Sequence, residues 1–179
     1  VLIDQPQSIP PKTWEPLSDD EVLKMIAGGE TNTVEFKIGA CRNPYTEKKD
    51  DSMEDNIVEE VAAFMNTDGG TVLVGVSDDG EIRGVETEYV VANKGKPTWD
   101  GYELFLQDAL NDRLEGIPVF QYYQISPQAL QGDHVVCRII VQPTPAPVYV
   151  NDELYIRSGN QKRKLKGAEL VAYVEEHWG

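Results

Sequence analysis

Apolar positions recur at helical spacing in four stretches of the chain and alternate, or run unbroken, in several shorter ones. The first helix begins after Ser18, an N-cap whose box is completed by Glu21, with Leu17 and Val22 as its hydrophobic staple and Gly28-Gly29 as its stop. A second is predicted from about Glu54 to Met65, with Ile57, Val58, Val61, Ala62, Phe64 and Met65 inward, and a third over Tyr102–Leu114. A last helix would bury Leu170, Val171, Val174 and Trp178. Between them, Thr33–Lys37 alternates, with Val34 and Phe36 on one face and Glu35 and Lys37 on the other. Thr71–Val76 is a continuous apolar strand, and Asp79-Gly80 signals a type I′ hairpin into Glu81–Val85. Phe120–Ile125 and Val135–Val141 read as an antiparallel pair joined by a loop holding Pro127 and Gly132, and Glu153–Arg157 is a further strand. Residues 39–53 are polar and read as a mobile loop, 87–100 as a second loop, and the proline-rich residues 1–16 as an extended arm or linker. Helices and hairpins interleave without a repeating βαβ period, so the expected class is α+β, a mixed and mainly antiparallel sheet flanked by helices, in one domain over 17–179.

Composition narrows the function. The 179 residues carry a formal charge of −15, which repels a phosphate backbone at long range, so nucleic-acid binding needs a local basic patch. The dense cationic segment is Arg157, Lys162, Arg163, Lys164 and Lys166, with Asn160 in the turn between them. These residues either contact phosphate and base edges or form a solvated basic loop that offsets nearby acids. The corner Asn66-Thr67-Asp68-Gly69-Gly70 offers two readings as well: backbone N–H groups of Asn66, Thr67, Gly69 and Gly70 held out to a phosphate, or a helix stop that needs Asn and Gly to reverse the chain. Tyr122 and Tyr123 face opposite sides of their strand, so at most one joins any surface. His134 and His177 are isolated, and the three tryptophans read as packing residues. Of the two cysteines, Cys137 lies in an apolar strand as a buried thiol and Cys41 in a polar loop. No apolar run is long enough to span a bilayer, no leader pattern opens the chain, and the expected setting is a domain of a longer cytoplasmic protein.

Several blocks follow one another in an order that resembles a known family. They are Gly29-Glu30, Thr33-Val34-Glu35-Phe36-Lys37, Ala63-Phe64-Met65-Asn66-Thr67-Asp68-Gly69-Gly70, Leu73-Val74-Gly75-Val76-Ser77-Asp78-Asp79-Gly80, Glu81-Ile82-Arg83-Gly84-Val85 and Tyr155-Ile156-Arg157-Ser158-Gly159-Asn160. Together they resemble the Schlafen AlbA-type domain, which implies DNA or RNA as the partner. Some Schlafens are metal-dependent ribonucleases using two glutamates and an aspartate. The matching positions are Glu30, Glu35 and Asp78, hard oxygen donors suited to Mg²⁺ or Mn²⁺, with Lys37 beside a scissile phosphate. The bland counterpart is a solvated Glu35–Lys37 pair, a helix-terminal Glu30 and a turn-forming Asp78. The chain departs from that resemblance in a longer, more acidic loop after Lys37 and in having one lobe where animal Schlafens join two, so a full RNA clamp would require a homodimer. Three functions follow: a nucleic-acid-binding module of a larger regulatory or defence protein, a divalent-metal ribonuclease, and a protein-interaction or dimerisation domain.

Overall fold

The computed structural model describes residue 14 and residues 16–179, so the expected arm over 1–16 lies almost wholly outside the described residues. Helix α1 (Asp19–Ala27) starts with the full capping box: the Ser18 side chain accepts from the Glu21 N–H, and the Glu21 carboxylate accepts from the Ser18 N–H at 2.7 Å. Strand β1 (Val34–Lys37) runs parallel to β2 (Gly70–Val74), and the connection between them is helix α2 (Asp51–Met65). α2 begins three residues before the sequence pattern predicts, because Asp50 caps it by accepting from the Ser52 N–H. After a 3₁₀ turn (Glu86–Glu88) come a one-turn helix α3 (Tyr89–Ala92) and α4 (Trp99–Arg113), where 87–100 had read as loop. Strands β3 (Tyr123–Leu130) and β4 (His134–Val141) form a hairpin, and β4 pairs antiparallel with β2. The sheet order is therefore β1-β2-β4-β3, a mixed sheet with two of its three pairings antiparallel. A separate ribbon of β5 (Leu154–Ser158) and β6 (Gln161–Leu165) precedes α5 (Gly167–Trp178). The class is α+β, as the pattern implied.

Three departures have physical causes. Pro127 lies inside β3 rather than in a loop, which is tolerated because β3 is an edge strand whose outward N–H needs no partner. The turn after Ser77 is not type I′ at Asp79-Gly80: the Gly80 N–H donates to the Ser77 carbonyl, and of the turn residues Gly80 takes positive φ (82°), a three-residue loop ending in a left-handed residue. The segment Glu81–Val85 forms no named strand; a single bridge joins Val76 to Ile82, and Gly75 and Gly84 meet so closely that a Cβ on Gly75 would lie 2.9 Å from the Gly84 carbonyl carbon.

Alternation splits the sheet into two faces. Val72, Val74, Cys137, Ile139, Val141, Tyr123 and Ile125 pack under α2 and α4 in the main core, whereas Phe36, Leu73, Val136 and Leu130 pack under α1 with Val22 and Ile26. The ribbon has a third small core, Leu154, Ile156 and Leu165 against Leu170, Tyr173, Val174 and Trp178 of α5. Val171, predicted inward, is exposed. Trp178 donates from Nε1 to the Thr144 carbonyl at 2.9 Å and Trp99 packs on Tyr102, so both serve packing. Both cysteines are buried free thiols; burial pushes the Cys41 thiol up, and the nearby Glu88 carboxylate adds to it.

Candidate functional site

The ribbon is welded to the body by ions. Along β5, Tyr155 and Arg157 point toward α2 while Leu154 and Ile156 point toward α5, a direct result of the period of two. Arg157 is 5% exposed, and its Nη1 donates to Glu35 Oε2 at 2.9 Å and to Glu60 Oε2 at 2.8 Å. Its Nη2 donates to the Thr31 carbonyl at 2.8 Å, and its guanidinium carbon lies 4.7 Å from the centre of the Phe64 ring. Lys37 completes the set with Nζ at 2.6 Å from Glu35 and 3.4 Å from Glu60. Burial alone would pull the Lys37 ammonium down, but its hydrogen bond to Glu35 and the field of Glu60 hold it up. Lys162 reaches the same helix face, 2.5 Å from Glu59 and 4.0 Å from Glu60. Glu35 and Lys37 do share a strand face, as the alternation predicted, but the pair is buried in a larger network rather than solvated.

This arrangement removes much of the cationic segment from reach. Lys162 and Lys164 pair with Arg157 and Tyr155 across the ribbon and so lie on the α2 side, whereas Arg163 pairs with Ile156 and lies on the α5 side. The run that reads as one patch in sequence is divided between two faces. Lys162, Arg163 and Lys164 each have an acid beside them: Lys164 sits 2.7 Å from Glu153, and Arg163 sits 2.5 Å from Glu169. Asn160 and Lys166 are exposed at the two ends of β6, Asn160 beside Gly159, which turns the ribbon at φ 64°.

The Asn66–Gly70 corner is structural. Asn66 is fully buried; its Nδ2 donates to the carbonyls of Val148 at 2.7 Å and Tyr155 at 2.9 Å, while its Oδ1 accepts from the Val148 N–H at 2.8 Å. The N–H groups of Asn66, Thr67 and Gly69 donate to carbonyls of α2, so they are not held out to an anion. The Thr67 hydroxyl donates to the Ala63 carbonyl and accepts from the Arg157 N–H. A Cβ on Gly69 would lie 2.6 Å from the Val141 carbonyl, and one on Gly70 would strike the Phe64 ring. Close packing, not ligand approach, demands glycine at both positions.

The carboxylates assigned by resemblance share a neighbourhood without converging. Burial raises the Glu30 carboxyl above its ordinary range, and the charges of Glu35 and Asp78 add to the rise against the Phe36 N–H, which donates to Glu30 Oε1 at 3.0 Å. Asp78 is exposed in its turn. Among the described residues no three His, Cys, Asp or Glu side chains come together as a metal set. Glu35 has one oxygen on Lys37 and the other on Arg157. The residues as arranged do not fit Mg²⁺ or Mn²⁺. A carboxyl whose folded-state pKa is raised penalises the fold above that pKa, and the penalty fades as pH falls through it. Glu30→Gln is therefore expected to raise the melting temperature at neutral pH, with the gain vanishing below the ordinary glutamate range; thermal melts across that interval would check it.

Two residues important to this region escaped the sequence reading. Glu60 sits on the buried face of α2, and its signal was that the pair Glu59-Glu60 interrupts the apolar run Ile57, Val58, Val61 and Ala62. Glu88, 3% exposed, accepts from the N–H groups of Ala40, Cys41 and Arg42 at 2.8–3.0 Å and from the Tyr102 hydroxyl at 2.6 Å. No periodicity marks it.

An α+β domain with a β-ribbon ion-locked onto its crossover helix is the class that fold and site define. The chain belongs to the Schlafen, AlbA_2 family, which matches residues 30–166. Its fold is also similar to the DIP2311 protein from Corynebacterium diphtheriae, at a TM-score of 0.59 and 22% identity, over 89% of this chain and 28% of that one. The chain thus spans under a third of that protein's length. No curated protein matches it. Membership of the family associates the domain with nucleic acid at the level of the family. Among the described residues no helix is long and apolar enough to cross a membrane.

Proposed function

We propose that the chain is a nucleic-acid-binding module that meets the phosphate backbone along strand β6, Arg163 reaching out from its α5 face and Lys164 from its α2 face. The observation that carries this reading is the uneven availability of the ribbon's cations. Arg157 is buried and Lys162 is held between Glu59 and Glu60, so neither is offered. Arg163 and Lys164 are different: their acid partners Glu169 and Glu153 are about half exposed, and Lys166 at the end of β6 is exposed. Exposed pairs contribute only about 0–1 kcal/mol each, so a phosphate can take the place of a glutamate at small cost. The net charge of −15 opposes approach, so binding is weak and depends on few contacts.

With roughly three phosphate contacts on duplex DNA, the slope of log affinity against log salt is expected near −2.7, a fall of roughly 40-fold between 50 and 200 mM salt. Arg163→Ala/Lys164→Ala/Lys166→Ala should flatten that slope toward zero without lowering the melting temperature. Fluorescence anisotropy titrations at several salt concentrations read it directly. No detectable binding at low salt, or an unchanged slope in the triple variant, rejects the reading.

The ribonuclease alternative has one observation in its favour, that the charges of Glu35 and Asp78 are both felt at the Glu30 carboxyl. It requires Glu35 to be freed from Arg157 and Lys37, and Mg²⁺- or Mn²⁺-dependent cleavage abolished by Glu35→Gln would establish it. A stable homodimer with no affinity for DNA or RNA would favour the protein-interaction reading instead.

A further inference from the structure

The segment between β1 and α2, read from sequence as mobile, is an ordered finger. Arg42 and Lys49 form an antiparallel bridge at its base, and the Asp50 N–H donates to the Cys41 carbonyl at 2.8 Å. At the tip the Asn43 side-chain oxygen accepts from the N–H groups of Tyr45 at 2.9 Å and Thr46 at 3.2 Å, a side-chain turn that fixes the chain's reversal. The Glu47 N–H closes the turn on the Asn43 carbonyl at 2.8 Å, and the Asn43 N–H donates to the Lys48 carbonyl at 2.9 Å. Below the tip, the Glu88 carboxylate grips three consecutive N–H groups, and a Cβ at Gly39 would collide with it. Residue 41, at the foot of this clamp, is completely enclosed.

This rigid support presents Tyr45 at 91% exposure. A solitary exposed tyrosine on a loose loop would carry no meaning. Here the backbone that carries the ring is fixed by Asn43, and Arg42, Lys48 and Lys49 belong to the same short finger. Lys48 has no acid partner among the described residues, and Arg42 and Lys49 have only exposed ones, Glu47 and Asp51. From the finger, Ser52, Asn56 and Glu59 follow at helical spacing along α2 to Lys162, whose Nζ donates to the Asn56 side-chain oxygen at 3.2 Å. That path is roughly 10 Å at 1.5 Å per residue, one to two nucleotides of an extended strand.

We infer that Tyr45 is a stacking platform for an unpaired base, so that the ligand of this domain is single-stranded nucleic acid. An exposed aromatic face takes any base, while cations of the same finger, two of them held only by exposed acids, take the adjoining phosphates. A duplex keeps its bases stacked on one another and gains nothing from Tyr45. The inference rests on the nucleic-acid reading above.

The test compares anisotropy of fluorescein-labelled oligo-dT and oligo-rU of roughly 20 nucleotides with that of a duplex of equal length, at low salt. Tyr45→Ala is expected to weaken single-strand binding roughly tenfold, leave duplex binding and melting temperature unchanged, and be rescued by Tyr45→Phe. A larger effect on one of the two oligonucleotides assigns the sugar. Equal single-strand affinity in wild type and Tyr45→Ala overturns this inference while the ribbon reading stands. If the wild-type chain binds none of the probes, both fall.

Discussion

Arg157→Ala is expected to destabilise the protein by about 3–5 kcal/mol, the usual cost of removing one partner from a buried ion pair. The guanidinium is the shared counter-charge of Glu35 and Glu60, both less than a tenth exposed, and its loss leaves Lys37, with Lys162 4.0 Å from Glu60, to neutralise two carboxylates. The Thr31 carbonyl loses its donor as well, and Phe64 loses the cation over its ring. For a chain of this length that corresponds to a melting point lower by roughly 10 °C. Arg157→Lys should recover only part of the loss, since an ammonium cannot reach two carboxylates and a carbonyl in one planar fork. The triple change Arg157→Met/Glu35→Gln/Glu60→Gln should be milder than Arg157→Ala alone, because it leaves no orphaned charge. Urea unfolding of the three variants orders them; a loss under about 1 kcal/mol for Arg157→Ala would show that the network is effectively solvated.

Glu88→Ala should rank next, and its effect should be local as well as global. The carboxylate satisfies three backbone N–H groups and the hydroxyl of a fully buried tyrosine, and an unsatisfied buried donor costs about 1–3 kcal/mol. We expect a loss of about 3 kcal/mol or more, with the finger freed before the rest of the fold. Hydrogen exchange at residues 40–42 should accelerate beyond the global unfolding rate, and trypsin should cut at Arg42, Lys48 and Lys49 in the native protein. Glu88→Gln retains one acceptor oxygen and should be less severe. Unchanged exchange at 40–42 in Glu88→Ala would show that the finger holds itself.

What the sequence disclosed and what it concealed follow from the range of the interactions. The capping box at Ser18 and Glu21 is complete within four residues, so it could be read directly. The alternation of Thr33–Lys37 placed Glu35 beside Lys37, and that neighbour relation is borne out. Arg157 is another matter: its partners lie in β1 and α2, and nothing in the hairpin Tyr155–Asn160 distinguishes an arginine bound to phosphate from one bound to its own protein. Pro127 reads as part of the loop between two strands because edge position, which lets a strand hold it, is a tertiary property. Asn66 and the two glycines after it look the same in sequence whether they cradle an anion or lock Val148 and Tyr155 in place. Tyr45 gave no periodic signal at all, being a single aromatic in a polar loop whose order is imposed from residue 88.

The ion lock on the ribbon also bears on the order in which the molecule can be made. Arg157 reaches Glu35 across 122 residues and Glu60 across 97, so both carboxylates leave the ribosome long before their principal cation. Until β5 is synthesised, Lys37 is the one partner of the final network already beside them, and two acids facing the growing interior resist its closure. Completion of the core is thereby postponed until β5 has been made, when Arg157 arrives and neutralises what β1 and α2 left charged.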